Sequence, residues 1–190
     1  MNYRTGRAIK FGYKQKGAGL IEVLIAVLIT AVGILGVAAM QMAGKRNLYE
    51  GTQRSLATGY ARDLIERMRG NPDQLATYVT TLGGGSSTRS AGTDCSADGA
   101  NCTTAQLAAR DLYEIEQAVL GAQESNVGGL VSPTICIANN SGNVTVTIAW
   151  RGAAETSSPG GNTCGEGLGL YGTDDALRRT LTISTFIGEL

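Results

Sequence analysis

The chain of 190 residues contains no histidine. Histidine is the usual general base of enzymes and the commonest metal ligand, so its absence excludes Ser-His and Cys-His nucleophile pairs and histidine-based metal centres. The region from 83 to 190 also shows no convergent set of polar residues of the kind that a periplasmic enzyme would need. We therefore expect no enzymatic activity and no cofactor.

Acidic residues are missing from the first 17 positions, which carry five basic residues: Arg4, Arg7, Lys10, Lys14 and Lys16. The whole chain has 16 basic and 16 acidic residues, so the rest of the chain carries 11 basic and 16 acidic side chains. This net negative charge argues against a nucleic-acid partner, which would call for a basic face. The basic N-terminal segment is expected to stay on the cytoplasmic side of a membrane.

Polar residues are almost absent from Val23 to Met40, where Thr30 is the single exception. A helix of this length with its flanks can cross the hydrocarbon core of a bilayer, which is roughly 30 Å thick. Glu22 stands at the start of this run, where a carboxylate needs a partner charge. Cleavage after Gly17 would supply one, because it creates a free ammonium group on Ala18 and makes Glu22 the fifth residue of the mature chain.

The basic leader, Gly17, Ala18, Glu22 and the apolar run together resemble the class III signal of type IV pilins and pseudopilins. The resemblance implies cleavage between Gly17 and Ala18 by a prepilin peptidase, N-methylation of Ala18 and an assembly charge pair between Glu22 and the Ala18 ammonium group. Two positions depart from the family pattern. Members more often carry Phe or Met in place of Ala18, and Thr or Ser in place of Gly19.

Two other interpretations of the N-terminus are a cleaved Sec signal, with a site near Val37-Ala38-Ala39, and a plain signal anchor. The apolar run is longer than the usual Sec core and opens with an acid, while a plain anchor leaves Gly17 and Glu22 unexplained. The preferred organisation is a cleaved leader at 1–17, a transmembrane and assembly helix at 18–44, and an exported body at 45–190.

Four cysteines follow the apolar run, at positions 95, 102, 136 and 164. An even number in an exported body predicts two disulfides, for which three pairings are possible. We expect Cys95–Cys102, which closes a small polar loop, and Cys136–Cys164, which closes a larger one. A zinc site is the rival interpretation, but there is no closely spaced cysteine pair and no histidine. Asp94, Asp98 and Asn101 are expected to form turns, so no metal is predicted.

After Met40 the pattern stays helical, with Leu48, Thr52, Leu56, Tyr60, Leu64 and Met68 recurring every four residues. This spacing predicts a helix with one apolar stripe, continuous from Ala18 to Arg69 and ended by Gly70-Asn71-Pro72. The segment from Gly83 to Asn101 is expected to be a loop. A second helix is predicted after a capping box at Thr103 and Gln106, with Gly121 ending it. Its predicted apolar face comprises Leu107, Ala108, Leu112, Ile115 and Val119.

The last third of the chain changes to an alternating, β-branched pattern. Strands are predicted at Thr134–Ala138, Val144–Trp150 and Thr180–Ile187. In the second of these, the apolar residues at 144, 146, 148 and 150 alternate with 145, 147 and 149. An antiparallel sheet of three or more strands needs a cover on one face, which the stripe on residues 48–68 can provide. The predicted fold class is α+β, with a long N-terminal helix on an antiparallel sheet, as in the pilin fold.

Three further segments narrow the resemblance to minor pilins of the PilV type: Ala61–Asn71, Asp111–Glu114 and Val144–Gly152. The charged part of the first, residues 62–69, can equally be a solvated helix face. The resemblance implies a structural component that helps to prime pilus assembly and supports twitching motility and adhesion. A pseudopilin of type II secretion is the nearest alternative, and a membrane-anchored periplasmic enzyme is the alternative from another class.

The resemblance also implies the partners and the location of the protein. The implied partners are the prepilin peptidase, other minor pilins, the major pilin, the inner-membrane assembly machinery and the lipid bilayer. The implied location before assembly is the inner membrane, with the C-terminal body in the periplasm. After assembly it is the pilus at the cell surface, at its tip.

Overall fold

The computed structural model describes residues 17, 19–86, 89–122 and 128–188. In chain order, the helices and strands of this part are α1 (Leu20–Arg69), α2 (Leu75–Tyr78), β1 (Thr81–Gly83), α3 (Thr104–Leu120), β2 (Thr134–Asn140), β3 (Asn143–Arg151) and β4 (Arg178–Phe186). Short 3₁₀ turns lie at Pro72–Gln74 and Thr173–Asp175. The predicted α+β class is confirmed.

The chain divides into two compact units, Met1–Gly44 and Lys45–Leu190. In the first unit, every described residue from Leu20 onward is helical and exposed. Helix α1 is long and apolar enough to cross a membrane, judged by length and composition. The second unit contains the sheet and the hydrophobic core, so its own residues supply the packing that folds it.

The sheet of the second unit is antiparallel, with the strands in the order β1-β2-β3-β4. Its register is fixed across the centre, where Ile137 pairs with Val146 and Val146 pairs with Ile183. Strand β1 was not predicted, because it lies where the Gly- and Ser-rich segment begins and has only three residues. The last strand begins at Arg178, two residues earlier than predicted, and ends at Phe186.

The core lies between one face of the sheet and the helices. Helix α1 contributes Ala57, Ala61, Leu64, Ile65 and Met68, all buried. The other members of this cluster come from the loops, α2, α3 and the inner face of the sheet, and include Leu112, Ile115, Ile135, Val146, Ile148 and Trp150. A helix that covers the sheet is therefore present, as the alternating strands required.

The first half of the predicted α1 stripe was wrong. Leu48 is 72% exposed and Thr52 is exposed, while Leu56 is only partly buried. A strict four-residue step advances 40° per step around a helix of 3.6 residues per turn, so the stripe turns away from the sheet toward the N-terminus. The buried positions 53, 57, 61, 64 and 68 mix steps of four and three and stay on one face.

Helix α3 begins and ends as its sequence predicted. The Gln106 backbone N–H donates to the Thr103 hydroxyl at 3.3 Å, and the Thr103 N–H donates to the Gln106 side chain at 2.9 Å. Gly121 ends the helix at φ +70°, a left-handed conformation that glycine adopts without strain. The predicted apolar face was wrong at Leu107, which is 38% exposed, and α3 instead buries two carboxylates, Asp111 and Glu116.

The second face of the sheet is partly buried as well. Ala149, on the face of β3 opposite the residues at 144, 146, 148 and 150, is fully buried in a small cluster with Cys164 and Tyr171. These two residues come from the glycine-rich segment 152–177, which folds back over β2 and β3. The end of β3 is therefore covered on both faces, by helices on one side and by this segment on the other.

Candidate functional site

The N-terminal signal residues lie at the start of α1. Gly17 and Gly19 are non-helical, and the Gly19 carbonyl accepts hydrogen bonds from the N–H groups of Glu22 at 2.9 Å and Val23 at 3.3 Å. Glu22 is therefore in the first helical turn, where the helix dipole favours a negative charge. Ala18 lies outside the described residues, as do residues 1–16, so cleavage, methylation and the charge pair at Ala18 stay predictions.

The first unit presents an apolar surface on all sides of α1. Its large side chains are 53–80% exposed, and they include Ile21, Leu24, Leu28, Ile34, Leu35 and Met40. Globular proteins rarely expose a contiguous apolar surface of this extent. A helix that is apolar all round is suited to lipid or to close packing with other such helices.

The charged run that ends α1 joins it to α3. The Arg67 guanidinium donates to Asp111 at 2.9 Å and to Glu114 at 2.8 Å, and it lies 3.2 Å from Asp63. Burial raises the pKa of Glu114, but the hydrogen bonds from Arg67 and Arg110 outweigh it, so the pKa lies below its ordinary value. Part of the 62–69 run is thus an inter-helix contact.

A buried tyrosine extends this cluster toward the sheet. The Tyr78 hydroxyl donates to Asp111 at 2.5 Å, and both side chains are buried. Burial, followed by the hydrogen bond to Asp111, raises the pKa of Tyr78 well above its ordinary value. The arrangement links α1, α2 and α3 through one carboxylate.

Glu116 fixes the segment that follows β1. Its carboxylate is fully buried and accepts hydrogen bonds from the backbone N–H groups of Gly83 and Arg89, each at 3.0 Å. Hydrogen bonds from backbone N–H groups offset the cost of burying a carboxylate. The role of Glu116 is therefore to hold Gly83 and Arg89 against α3.

The segment 152–177 is anchored on the outer face of the sheet by a disulfide and a buried arginine. Cys136 of β2 is bonded to Cys164, with an S–S distance of 2.04 Å. Arg178, only 1% exposed, donates to the carbonyls of Asn162 at 2.7 Å, Cys164 at 3.0 Å and Pro159 at 3.1 Å. One side chain thus stabilises three points of a loop that has little apolar content.

Two further buried side chains hold the end of the same segment. The Tyr171 hydroxyl donates to the Ser132 carbonyl at 3.0 Å and lies 2.9 Å from the Thr134 hydroxyl. The Asp175 carboxylate accepts from the Gly167 N–H at 2.9 Å. Burial raises the pKa of Tyr171, so this hydroxyl stays protonated and can donate. These contacts make the segment a structured extension of the body.

The second disulfide lies in an exposed loop. Cys95 is bonded to Cys102 at 2.06 Å, close to the start of α3. Asp94 lies in this loop, 3.7 Å from Arg110, and its carboxylate accepts from the Ser96 hydroxyl at 2.7 Å. This bond and a second one from the Ser96 backbone N–H, at 3.1 Å, lower the pKa of Asp94. In the described part of the chain, no three Cys, Asp or Glu side chains are grouped to hold a metal ion.

An open trough of about 930 Å³ runs along the outer face of the sheet beside the 160–168 stretch. Its floor is rich in hydroxyl groups, and those of Thr147 and Thr182 pair across strands at 3.1 Å. Thr145, also in the floor, pairs with Ser184 outside the trough at 3.0 Å. Asn162 donates to Thr182 at 2.9 Å from the rim. The trough is therefore polar both on its floor and at its rim.

Sequence reasoning did not find the roles of Arg178, Asp111 and Glu116. A charged residue in a strand or on a helix face is normally exposed, and only the partners brought by distant segments make its burial favourable. The single available signal was the position of Asp111 and Glu116 beside the predicted apolar face of α3.

Two family models match the chain. Residues 12–38 match the prokaryotic N-terminal methylation motif, and residues 39–113 match the model described as type IV pilin Tt1218. The chain is a type IV pilin-like protein. No curated protein and no solved structure gives a significant match.

The matches and the fold agree on a structural role for this type IV pilin-like protein. The methylation motif implies processing by a prepilin peptidase and assembly into pili with other pilins. Together with the apolar helix α1, it supports membrane anchoring and incorporation into a pilus. Pilins are in general structural proteins and not enzymes.

Proposed function

We propose that this chain is a minor type IV pilin of the PilV type. In this proposal the protein joins other minor pilins in a complex that primes assembly at the pilus tip, and it supports twitching motility and adhesion. The observation that carries the proposal is the succession of a prepilin signal, an exposed apolar helix and a pilin-like body in one chain. The body has well-defined loops on its outer face, which suits a protein that contacts different partners.

The proposed maturation begins with cleavage between Gly17 and Ala18, followed by N-methylation of Ala18. The mature chain then has its assembly helix at 18–44 and its periplasmic body at 45–190. Glu22 lies in the first turn of α1. In this proposal its carboxylate pairs with the Ala18 ammonium group of its own or a neighbouring chain. Such a pair offsets the cost of keeping a carboxylate in a low-dielectric environment.

N-terminal sequencing of the mature protein tests the processing step. The expected first residue is Ala18, N-methylated. A mature chain that starts near Gln41, or one that keeps Met1, would contradict a prepilin signal and return the N-terminus to a Sec signal or a plain anchor.

Deletion of the gene tests the assignment to a pilus. The expected result is a loss of surface pili and twitching motility, with secreted enzymes unaffected, and recovery when the wild-type chain is supplied. Loss of secreted enzymes with normal pili would instead assign the protein to type II secretion as a pseudopilin.

A further inference from the structure

Several basic side chains of the body are exposed and unpaired. Among the residues that the structure describes from Lys45 onward, five such side chains form no ion pair and no hydrogen bond: Lys45, Arg46, Arg54, Arg62 and Arg151. The other basic side chains in this part of the chain all have ion-pair or hydrogen-bond partners. Four of the five unpaired cations lie at one end of the body.

Glu50 of α1 organises this end. Its carboxylate accepts from the Ala153 N–H at 2.7 Å and lies 3.7 Å from the Arg179 guanidinium. Arg179 also donates to the Ala154 carbonyl at 2.6 Å, so α1, the residues after β3 and the start of β4 meet here. Gly152 is buried against Glu50, where a Cβ would come within 2.7 Å of a carboxylate oxygen. The charge of Glu50 is thus offset by Arg179.

The unpaired cations lie around this contact. Three of them are in α1 within five residues of Glu50, and the fourth is the last residue of β3, next to Gly152. These residues, which we call the basic end, are Lys45, Arg46, Arg54 and Arg151.

The charge of the body is divided unevenly. The basic end, together with the pair of Glu50 and Arg179 and the nearby Glu155, contains five basic and two acidic residues. The rest of residues 45–190 contains six basic and 13 acidic residues. A positive end on an otherwise negative body attracts an anionic partner to that end and repels it elsewhere.

The length of the chain places the basic end close to the bilayer. The apolar run ends at Met40, and Lys45 follows five residues later. From Lys45 to Glu50 the chain is helical, so these residues are about 8 Å apart along α1. The residues that touch Glu50 are therefore near the point where the chain leaves the bilayer. This holds for any orientation of the body, because it depends on distance along the chain alone.

Two exposed apolar side chains accompany the cations. Leu48 is 72% exposed and Tyr49 is 38% exposed, and both lie in α1 between Arg46 and Arg54. Basic side chains mixed with aliphatic and aromatic ones are typical of surfaces that lie in the headgroup region of a bilayer. An acidic protein surface would give the cations partners but would leave these two side chains without an apolar environment. The composition of this end therefore favours a lipid surface.

The position of the basic end also opposes the usual charge bias of membrane proteins. Lys and Arg are enriched on the cytoplasmic side of a span, and the five basic residues of the leader already meet this requirement. Lys45 and Arg46 follow the span and lie on its other side, where orientation does not call for them. A contact with lipid phosphates gives them a role.

We propose that the basic end binds the anionic phospholipid headgroups of the bilayer that α1 spans. Arg54 and Arg151 contact lipid phosphates from the body, and Lys45 and Arg46 contact them from the end of the span. Because the chain is tethered to the bilayer, the headgroups are present at a high effective concentration and weak contacts suffice. This inference rests on the membrane-spanning helix of the proposed function, and it names the class of lipid that the body recognises.

Energy transfer from Trp150 to dansyl-labelled headgroups measures the contact. Trp150 is the single tryptophan of the chain and precedes Arg151 in β3. The full chain is reconstituted in liposomes of phosphatidylcholine alone or mixed with an equal amount of phosphatidylglycerol. We expect more transfer in the presence of phosphatidylglycerol. The difference should vanish at about 1 M salt, where the Debye length is only about 3 Å.

Arg54→Gln and Arg62→Gln form a matched pair of variants. Each removes one exposed, unpaired cation from α1, but Arg62 lies eight residues further along the helix, or about 12 Å. The ratio of bilayer-bound to detached body should fall about fivefold with Arg54→Gln and about 25-fold when Arg151→Gln is added. Arg62→Gln should leave this ratio within about twofold of wild type. The basic leader, Lys45 and Arg46 are the same in all variants, so the differences report the body alone.

Folding of the variants is checked in phosphatidylcholine liposomes. The substituted side chains are exposed, so both disulfides should stay intact and the melting temperature should stay at the wild-type value. Equal energy transfer with and without phosphatidylglycerol would overturn the proposal. Equal losses of transfer in Arg54→Gln and Arg62→Gln would do the same, because they would show a general effect of charge.

Photocross-linking in intact cells identifies the occupant. In an otherwise wild-type chain, p-benzoylphenylalanine replaces Ala154, which is exposed and whose carbonyl is bound by Arg179. The same probe at Val79, which is 46% exposed, is the control for general proximity. We expect a phospholipid adduct from position 154 alone, with an anionic headgroup identified by mass spectrometry of the modified peptide.

Three outcomes contradict the inference: an adduct with an acidic segment of another protein or of a second copy of this chain, an adduct with zwitterionic lipid alone, and no adduct. These results are separate from the proposed function. Normal pili and twitching after deletion of the gene would reject the pilus assignment, whereas the liposome measurement would still report whether the basic end binds lipid.

Discussion

Asp111 of α3 accepts a hydrogen bond from Tyr78 through one carboxylate oxygen and from Arg67 of α1 through the other. One buried acid thereby joins three helical segments, since Arg67 lies in α1, Tyr78 in α2 and Asp111 in α3. This relationship explains why a charged side chain is retained in the core of the body, since both of its oxygens are satisfied.

Replacing Tyr78 by phenylalanine should remove one donor from the buried Asp111. A buried hydrogen bond to a charged group contributes roughly 1.5–3 kcal/mol, so the free energy of unfolding should fall by about this amount at neutral pH. Denaturant unfolding of a truncated chain that begins at Lys45 measures the difference. No change would show that the Arg67 contact alone satisfies Asp111.

The same variant should change the dependence of stability on alkaline pH. In the folded protein, burial and the bond to Asp111 raise the pKa of Tyr78, so the folded state keeps a proton that the unfolded state loses above about pH 10. The wild-type protein therefore loses stability as the pH rises above 10. Tyr78→Phe lacks this contribution, so its deficit relative to wild type should shrink between pH 8 and pH 10.5.

The packing of α1 on the sheet can be tested with two leucines of the same helix. Leu64 is fully buried, and truncation of such a side chain typically costs roughly 2–5 kcal/mol. Leu48 is 72% exposed, so its truncation should change stability by less than about 0.5 kcal/mol. We expect Leu64→Ala to lower the melting temperature of the chain that begins at Lys45 and Leu48→Ala to leave it nearly unchanged. Equal effects would contradict the helix-on-sheet packing.

The two disulfides should differ in importance. On the loop-entropy model, Cys95–Cys102 and Cys136–Cys164 contribute roughly 2.5 and 3.6 kcal/mol respectively. The second also attaches the segment 152–177 to the sheet beside the buried Arg178. Cys136→Ser should therefore reduce the yield of folded protein much more than Cys102→Ser. Similar losses in the two variants, measured by quantitative blotting of the full-length protein, would argue against this difference.

Glu22 should be needed for assembly and not for folding of the body. The body from Lys45 onward has its own core, so Glu22→Ala should leave its melting temperature unchanged. We expect the variant to be cleaved and membrane-bound but absent from sheared pili. Its recovery in pili at the wild-type level would rule out the proposed pair with the Ala18 ammonium group. Ile34→Ala is the companion change, expected to weaken association with partner pilins alone.

The sequence by itself determined the elements whose signals are local. The apolar run after Glu22 required a helix suited to a membrane, because a bilayer leaves backbone groups no other partner. The capping box at Thr103 and the left-handed Gly121 set the ends of α3, since each involves residues only a few positions apart. In β3, the alternation of residues 144, 146, 148 and 150 with their neighbours likewise identified the face of the strand that packs on the core.

Tertiary structure alone decided which face of α1 is buried. Residues that recur every four positions drift around a helix of 3.6 residues per turn, so they do not stay on one face. Only the position of the sheet decides which of them are buried. The tertiary structure also decided the burial of Arg178, Asp111 and Glu116, whose partners are remote in sequence. The grouping of Arg151 with the cations of α1 has the same origin. It exists because β3 ends beside Glu50, and the placement of a strand next to a helix is a property of the assembled body, which no local pattern encodes.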